Sequence, residues 1–272
     1  MKKFKFISVI LITIGIITMI FTGCSEEKKA AIAAYYAECS RIKSEQTVLE
    51  KTITDSQNLI KSNETPYDEE TVSALETAIS DAKASIIEIA KCKGNAEEIN
   101  TLVNDKLKNI NYIEANQMLT SAKTELENSI KIMAQLTNPN ETFITERIKN
   151  IDGITGYASA TEETDVNGLL NKPGGYTSVT YFSYSKVPED EYSNNNSIVE
   201  NGVEGGGGLE VFSNKEDAEK RNEYLASFDG SILATGSHTV VGTIVVRTSD
   251  NLTASQQKEL EEKIIANLIE LR

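Results

Sequence analysis

The stretch IAAYYAECSRIKSEQTVLEKTITDSQNLI, residues 32–60, steps by three and four without a slip through Ile32, Tyr35, Cys39, Ile42, Gln46, Leu49, Ile53, Ser56 and Ile60. That spacing is a heptad seam, so the stretch predicts a long helix packed along one stripe. Downstream, Asn63-Glu64-Thr65-Pro66 ends it, because Pro66 cannot continue a helix and disfavours helix at Thr65. A second seam runs through Val72, Leu75, Ile79, Ala82, Ile86 and Ile89 to Gly94. A third runs through Tyr112, Ala115, Leu119, Ala122, Leu126, Met133 and Leu136, with Asn95 to Ile110 as a helical lead-in and Asn138-Pro139-Asn140 as its close. Connections this short predict an antiparallel three-helix coiled-coil bundle over residues 24–139.

Upstream, residues 1–23 follow the three-part export plan: basic Lys2, Lys3 and Lys5, the apolar run Phe6 to Phe21, then the small pair Thr22-Gly23. The run is too short for a comfortable span of about 20 residues. Phe21-Thr22-Gly23-Cys24 resembles the bacterial lipobox, with Phe21 where Leu is usual. The resemblance implies that the Cys24 thiol takes a diacylglyceryl group and that Cys24 becomes the mature N-terminus. An uncleaved N-terminal anchor is the alternative, and both place the remaining chain on the outer face of the cell membrane. Each buried acyl CH₂ contributes about 0.8 kcal/mol, and two chains are what stable anchoring needs.

The 272-residue chain carries a formal charge of −14, and loss of residues 1–23 removes three lysines and no acid. Such acidity argues against nucleic acid as a partner and against a second, electrostatic attachment to anionic lipid. With no Trp, one His and three Cys, the chain is poorly supplied for metal or nucleophilic chemistry. No cofactor is expected. If Cys24 is acylated, Cys39 and Cys92 remain as an even pair in an oxidising setting. With the turn near residues 64 and 65, they lie ~25 residues before it and ~27 after it, level within about one helical turn at ~1.5 Å per residue. A disulfide is therefore expected, stabilising by about 4 kcal/mol in the chain-entropy model; two buried free thiols are the alternative.

Beyond Asn140 the composition changes. A short amphipathic helix, Phe143, Ile144, Ile148 and Ile151, leads to Gly153. Runs of β-branched and aromatic residues then predict strands over Ile154–Thr161, Tyr176–Val187, Leu209–Phe212 and His238–Thr248. In the second of these, Thr180, Phe182 and Tyr184 alternate with Val179, Tyr181 and Ser183, so it offers aromatics to both faces. Capping boxes at Ser213 with Glu216 and Thr253 with Gln256 start two helices. Ala218, Arg221, Leu225 and Phe228 line one face of the first; Leu260, Ile264, Leu268 and Leu271 line the second. The expected class is α+β, with residues 140–272 as a two-layer head of four strands and both helices on one face.

The segments Ile154-Thr155-Gly156, Thr161-Glu162, Asp165-Val166-Asn167-Gly168, Leu170 to Tyr176, Asp217 to Leu225, Gly236-Ser237-His238 and Arg247-Thr248-Ser249 together resemble a C-terminal domain recurring in Gram-positive surface proteins and lipoproteins. Proteins carrying that domain are often labelled matrix-binding. Pro is frequent in that pattern where this chain has Val166. The resemblance covers the last ~120 residues and implies display at the surface without naming a ligand. Residues Tyr67 to Ala84 are also similar to helical repeats of large Gram-positive surface proteins said to bind matrix.

Within the head, Glu163, Asp165, Asn167 and Gly168 have the spacing that opens a calcium loop, but Gly174 stands where the closing acid belongs. An Asn-Gly turn between strands is the other reading. Gly205 to Gly208 are followed by Leu209-Glu210-Val211-Phe212, a strand and not the Lys-Ser/Thr helix start a phosphate loop requires. That tract reads as a flexible lead into the strand, or as a place where a ligand or partner backbone approaches closely. His238 opens a strand, and pairing it with Ser237 or Ser249 for catalysis needs a geometry sequence does not supply, so no catalytic residue is assigned. Arg221, on an apolar helix face, is expected to pair with an acid such as Glu210 or to reach a ligand carboxylate. With His238 and Arg247, these two make the candidate ligand-binding set.

The expected function is that of a lipid-anchored extracellular module, not an enzyme, that binds a protein or glycan through its head. Alternatives are a structural or interfering membrane lipoprotein, for example one that excludes phage, and an envelope hydrolase.

Overall fold

The computed structural model describes residues 25–188, 196–231 and 236–272; the expected leader and Cys24 lie outside them. The chain is α+β and divides into two compact units, the first taking residues up to Leu49 with Ile86–Glu114 and the second taking Glu50–Ser85 with Ala115–Arg272. Helix α1, Glu26–Ser62, runs from one unit into the other. Among the described residues no helix is long and apolar enough to cross a membrane.

In the first unit the seam is real: Tyr35, Ile42 and Leu49 of α1 are buried. Arg41 fixes the chain beside them. Its Nε and Nη1 donate to Glu38 and Glu45 at 2.8 Å, and its Nη2 donates to the carbonyls of Leu107 and Ile110 at 3.1 and 3.0 Å. Leu107 opens a 3-10 turn, Leu107–Asn109, and its carbonyl also accepts from the N–H of Ile110, the residue that closes the turn, at 3.1 Å. The second expected helix is corrected here. Helix α2, Glu70–Ser85, stops before Ile86-Ile87-Glu88-Ile89, a β-branched run with little intrinsic helix preference. Side chains take up backbone groups of the segment that follows: Tyr35 Oη donates to the Ala90 carbonyl at 2.9 Å, and the Ile87 N–H donates to Tyr112 Oη at 3.2 Å. Helix α3, Ala96–Asp105, then starts on a capping box between Asn95 and Glu98.

In the second unit α1 ends where Asn63 turns left-handed at φ 56°, just before Pro66. The chain after Pro66 is tied to α4, Ile113–Gln135, by N–H groups of Tyr67 and Asp68 donating to Ser129 O and Oγ at 3.0 and 2.8 Å. Leu136, at the end of α4, is fully buried in the core of the sheet. It accepts from the Thr243 N–H at 3.1 Å, while Thr243 Oγ1 accepts from the Asn138 N–H at 2.7 Å.

The sheet has five antiparallel strands in the order β1-β2-β3-β5-β4: β1 Ile154–Ser159, β2 Ser178–Tyr184, β3 Gly206–Val211, β4 His238–Val241 and β5 Ile244–Thr248. Five replaces the expected four because His238–Thr248 folds back on itself. Gly242 takes φ 63° and, with Thr243, makes a two-residue hairpin between paired Val241 and Ile244. The expected placement of both helices on one face is also corrected. Helix α8, Ala254–Ile269, and α5, Glu141–Ile148, bury Leu260, Ile264, Ile144 and Ile148 against Phe182, Leu209 and Val246. A short helix, α6, Ile198–Asn201, precedes β3, and helix α7, Lys215–Ala226, buries Ala218 and Leu225 on the opposite face, against Val179, Tyr181 and Val245. Residues alternate across β2 and β5 to feed both cores, so the head has three layers. Thr253 caps α8 with Gln256 as expected, but α7 is capped by Asn214, one residue after Ser213, through the Asp217 N–H.

Candidate functional site

The site is built on the face of the sheet that α7 covers. Tyr181 pairs with Gly208, Gly208 with Arg247 and Arg247 with His238, so these four make one row across β2, β3, β5 and β4. The glycine tract is not a flexible lead-in: Gly206, Gly207 and Gly208 are buried within β3 itself. The Tyr181 ring lies over Gly208, with its Cδ1 only 2.9 Å from where a Cβ would stand. That missing side chain lets Tyr181 and Arg247 meet above β3.

Glu210 is two residues from Gly208 on the same face and is 0% exposed. A lone carboxylate there would be costly, and two guanidiniums offset it. Arg221 of α7 donates from Nε to Oε2 at 2.7 Å and from Nη2 to Oε1 at 2.9 Å, a bidentate fork. Arg247 donates from Nη1 to Oε1 at 2.9 Å. The two cationic side chains are 11% and 7% exposed. Burial pulls the Arg221 guanidinium down, but the Glu210 carboxylate outweighs it and holds the group above its ordinary value.

A second polar cluster adjoins. Asp165 accepts from the N–H groups of Asn167, Leu169 and Leu170 at 3.2, 2.7 and 2.8 Å and from Tyr176 Oη. Burial alone would raise its carboxyl; these donors, the Tyr176 hydroxyl foremost, outweigh burial and hold it below the usual range. Asn167 donates from Nδ2 to the hydroxyls of Tyr176 and Tyr181 at 3.3 and 3.2 Å. Burial, then the charges of Glu210 and Asp165, push Tyr181 up to about 12. The Glu163, Asp165 and Asn167 spacing therefore serves a closed turn, sealed by the Gly168 N–H on the Asp165 carbonyl at 3.1 Å, and the oxygens of Asp165 are spent on N–H and O–H donors. No group of three or more His, Cys, Asp or Glu able to hold a metal ion occurs among the described residues.

Between α7, the 160–177 loop and the sheet lies a cavity of about 670 Å³. Lys220, Arg221 and Arg247 line it, opposed by one acid, Asp217. Phe212, Tyr224, Leu225 and Phe228 form its apolar wall, and Asn167 reaches it from the loop. Tyr224 is 58% exposed, meets Phe228 edge-on at 5.1 Å, and carries the Arg221 guanidinium 5.6 Å from its ring centre.

Three of the four residues proposed for ligand binding thus converge: Arg221, Glu210 and Arg247. His238 shares their row but does not line the cavity; its Nδ1 donates to Asn222 Oδ1 at 2.7 Å, and its Nε2 lies 3.3 Å from Asp229 Oδ1. The serines considered with it have other partners, Ser237 Oγ on Glu261 at 2.7 Å and Ser249 Oγ on the Glu204 carbonyl at 2.8 Å. Cys39 and Cys92 are each half-buried and carry no S–S bond in this structure. Burial, then the nearby Cys39 and Cys92 thiols, push the Tyr35 hydroxyl up to about 12. Helix α2 ends at Ser85, so helical rise does not set the level of Cys92, yet the two thiols are neighbours: burial, then Cys39, push the Cys92 thiol up. Tyr176 and Tyr181 carry no sequence assignment, and Asn167 is singled out only for a calcium loop; the alternation of β2, which gives Tyr181 to the face opposite Phe182, was the available signal for Tyr181. No family model, no curated protein and no solved structure matches this chain.

Proposed function

We propose that the chain is a lipid-anchored surface protein, held through Cys24, whose head binds a small ligand or an exposed group of a larger one in the cavity beneath α7. The observation that carries this reading is the reversal of charge there. In a chain of formal charge −14, three cations and one acid line a concave, aromatic-walled space of about 670 Å³. In this reading α1, α2 and α4 form an antiparallel bundle that acts as a spacer, Cys39 and Cys92 close a disulfide in the oxidising exterior, and the head is related to the surface-protein domain that its motifs resemble.

One observation favours a structural or interfering role as a second reading. Ala74, Ala78 and Ala82 of α2 face Ala115, Met118 and Ala122 of α4 across a groove of about 580 Å³, with Met118 63% exposed. Purified residues 25–272 should retain a component of an envelope or host-matrix extract, and Tyr224→Ala should release it. Retention that survives Tyr224→Ala and is lost with Met118→Asp would transfer the function to the helical groove. Cys24→Ser should move the chain from the membrane fraction to the medium.

A further inference from the structure

Resting on the reading that the cavity beneath α7 is the binding site, we infer that its ligand is a carboxylate carrying an apolar or ring body and a hydrogen-bond donor. Charge points to the anion. Glu210 is shared by two guanidiniums, so this buried trio keeps one positive charge in excess; Lys220 at the rim is held by Glu216 at 2.7 Å and lies 3.9 Å from Asp217, so it offers a donor there without adding net charge. A carboxylate entering the cavity would balance that excess where water screens it least.

Geometry points to the place of contact. Glu210 occupies Nε and Nη2 of Arg221, which fixes the guanidinium plane and leaves Nη1 with no hydrogen bond among the described residues. An N–H pair held in this way needs no reordering when an acid arrives. Asn167 supplies the complementary polar contact. Its Nδ2 is spent on Tyr176 and Tyr181, and its Oδ1 remains to accept from an N–H or O–H of the ligand. The body rests on Tyr224 and Phe228, whose rings are already set edge to face at 5.1 Å. Two sources provide this chemistry, the free carboxyl end of a peptide and an acidic sugar.

The test is calorimetric titration of residues 25–272 with three probes: N-acetylphenylalanine, its neutral amide, and glucuronate. One of the two acids should bind, the amide should bind at least tenfold more weakly than N-acetylphenylalanine if that is the ligand, and Tyr224→Ala and Lys220→Gln should each weaken the acid. Both substitutions leave the three hydrogen bonds to Glu210 in place; Lys220→Gln removes no contact with either guanidinium, and Tyr224→Ala removes only the ring beside Arg221, so an unchanged urea midpoint for Lys220→Gln separates weakened binding from loss of fold. Arg221→Lys keeps the charge and loses the fork, so it should weaken the acid and narrow its advantage over the amide without abolishing it. Preference for N-acetylphenylalanine assigns a peptide end, and preference for glucuronate assigns an acidic sugar. Equal binding of acid and amide overturns the inference while leaving the cavity as a binding site. Absence of binding by either acid up to about 10 mM overturns it as well; release or retention of the extract component by Tyr224→Ala then decides the broader reading on its own.

Discussion

Replacement of Glu210 by Gln tests whether the two guanidiniums are held in the sheet by that one charge. The carboxylate accepts three hydrogen bonds, at 2.7, 2.9 and 2.9 Å, and is fully buried. Hydrogen bonds to charged groups contribute about 1.5–3 kcal/mol each, so plain addition would reach ~9 kcal/mol at the upper end. That sum overshoots, because the amide keeps one oxygen to accept with. The governing cost is that two desolvated cations lose their counter-charge, and removing one partner of a buried pair costs about 3–5 kcal/mol. With a urea slope of about 2 kcal/mol per molar, the unfolding midpoint of Glu210→Gln should fall by about 2 M. A fall of less than about 0.5 M would refute the claim that the pair is dry and mutually dependent. The triple variant Glu210→Leu, Arg221→Met, Arg247→Leu separates charge from packing. It should regain much of the lost stability, since apolar groups of similar volume often replace a buried ionic cluster without penalty. A triple variant as unstable as Glu210→Gln would place the cost in packing and not in charge.

Three further outcomes follow from the same geometry. Gly207→Ala should lower stability by about 1–3 kcal/mol or more in the same urea assay, because its Cβ would fall within contact distance of the Arg247 carbonyl oxygen and the Phe182 ring; Gly168→Ala meets no neighbouring atom and should cost less, through its positive φ alone. Asp165, held below its ordinary carboxyl value, contributes stability that is present above about pH 4 and lost as pH falls through the folded-state value. Asp165→Asn should therefore flatten the acid limb of a thermal-unfolding profile, and an unchanged limb would contradict the bonding described. Thiol counting on chain recovered from the cell surface, denatured without reductant, should find Cys39 and Cys92 unreactive, each having given up one proton and one electron to the oxidising exterior; two reactive thiols would leave them as packing groups.

The parts of this fold legible in the sequence are those fixed by local rules. The seam through Tyr35, Ile42 and Leu49 and the Thr253 cap needed only neighbours three and four residues away. What failed required weighing one rule against another. Ile86 and Ile89 continue the helical spacing, yet with Ile87 they form a β-branched run, and propensity prevailed over periodicity. Gly242-Thr243 is a hairpin signal inside an apolar run, and the apolarity concealed it. The most consequential case is the burial of Glu210: its pairing with Arg221 was expected and is present, but its place in the middle of the head was not. Alternation with Leu209 and Val211 assigns it to the solvent side of a two-layer head, where an acid needs no explanation. The same alternation in β2 gave aromatics to both sides, Tyr181 against Phe182, and a strand apolar on both sides belongs in the middle of three layers. Once α7 lies over Tyr181, the acid beside it is buried, and burial obliges it to find cations. Arg221 follows from the apolar face of α7 and Arg247 from the register of β5. The excess of one guanidinium over one carboxylate is then a consequence of the layer count, and it gives an otherwise acidic chain a cavity whose wall is positively charged.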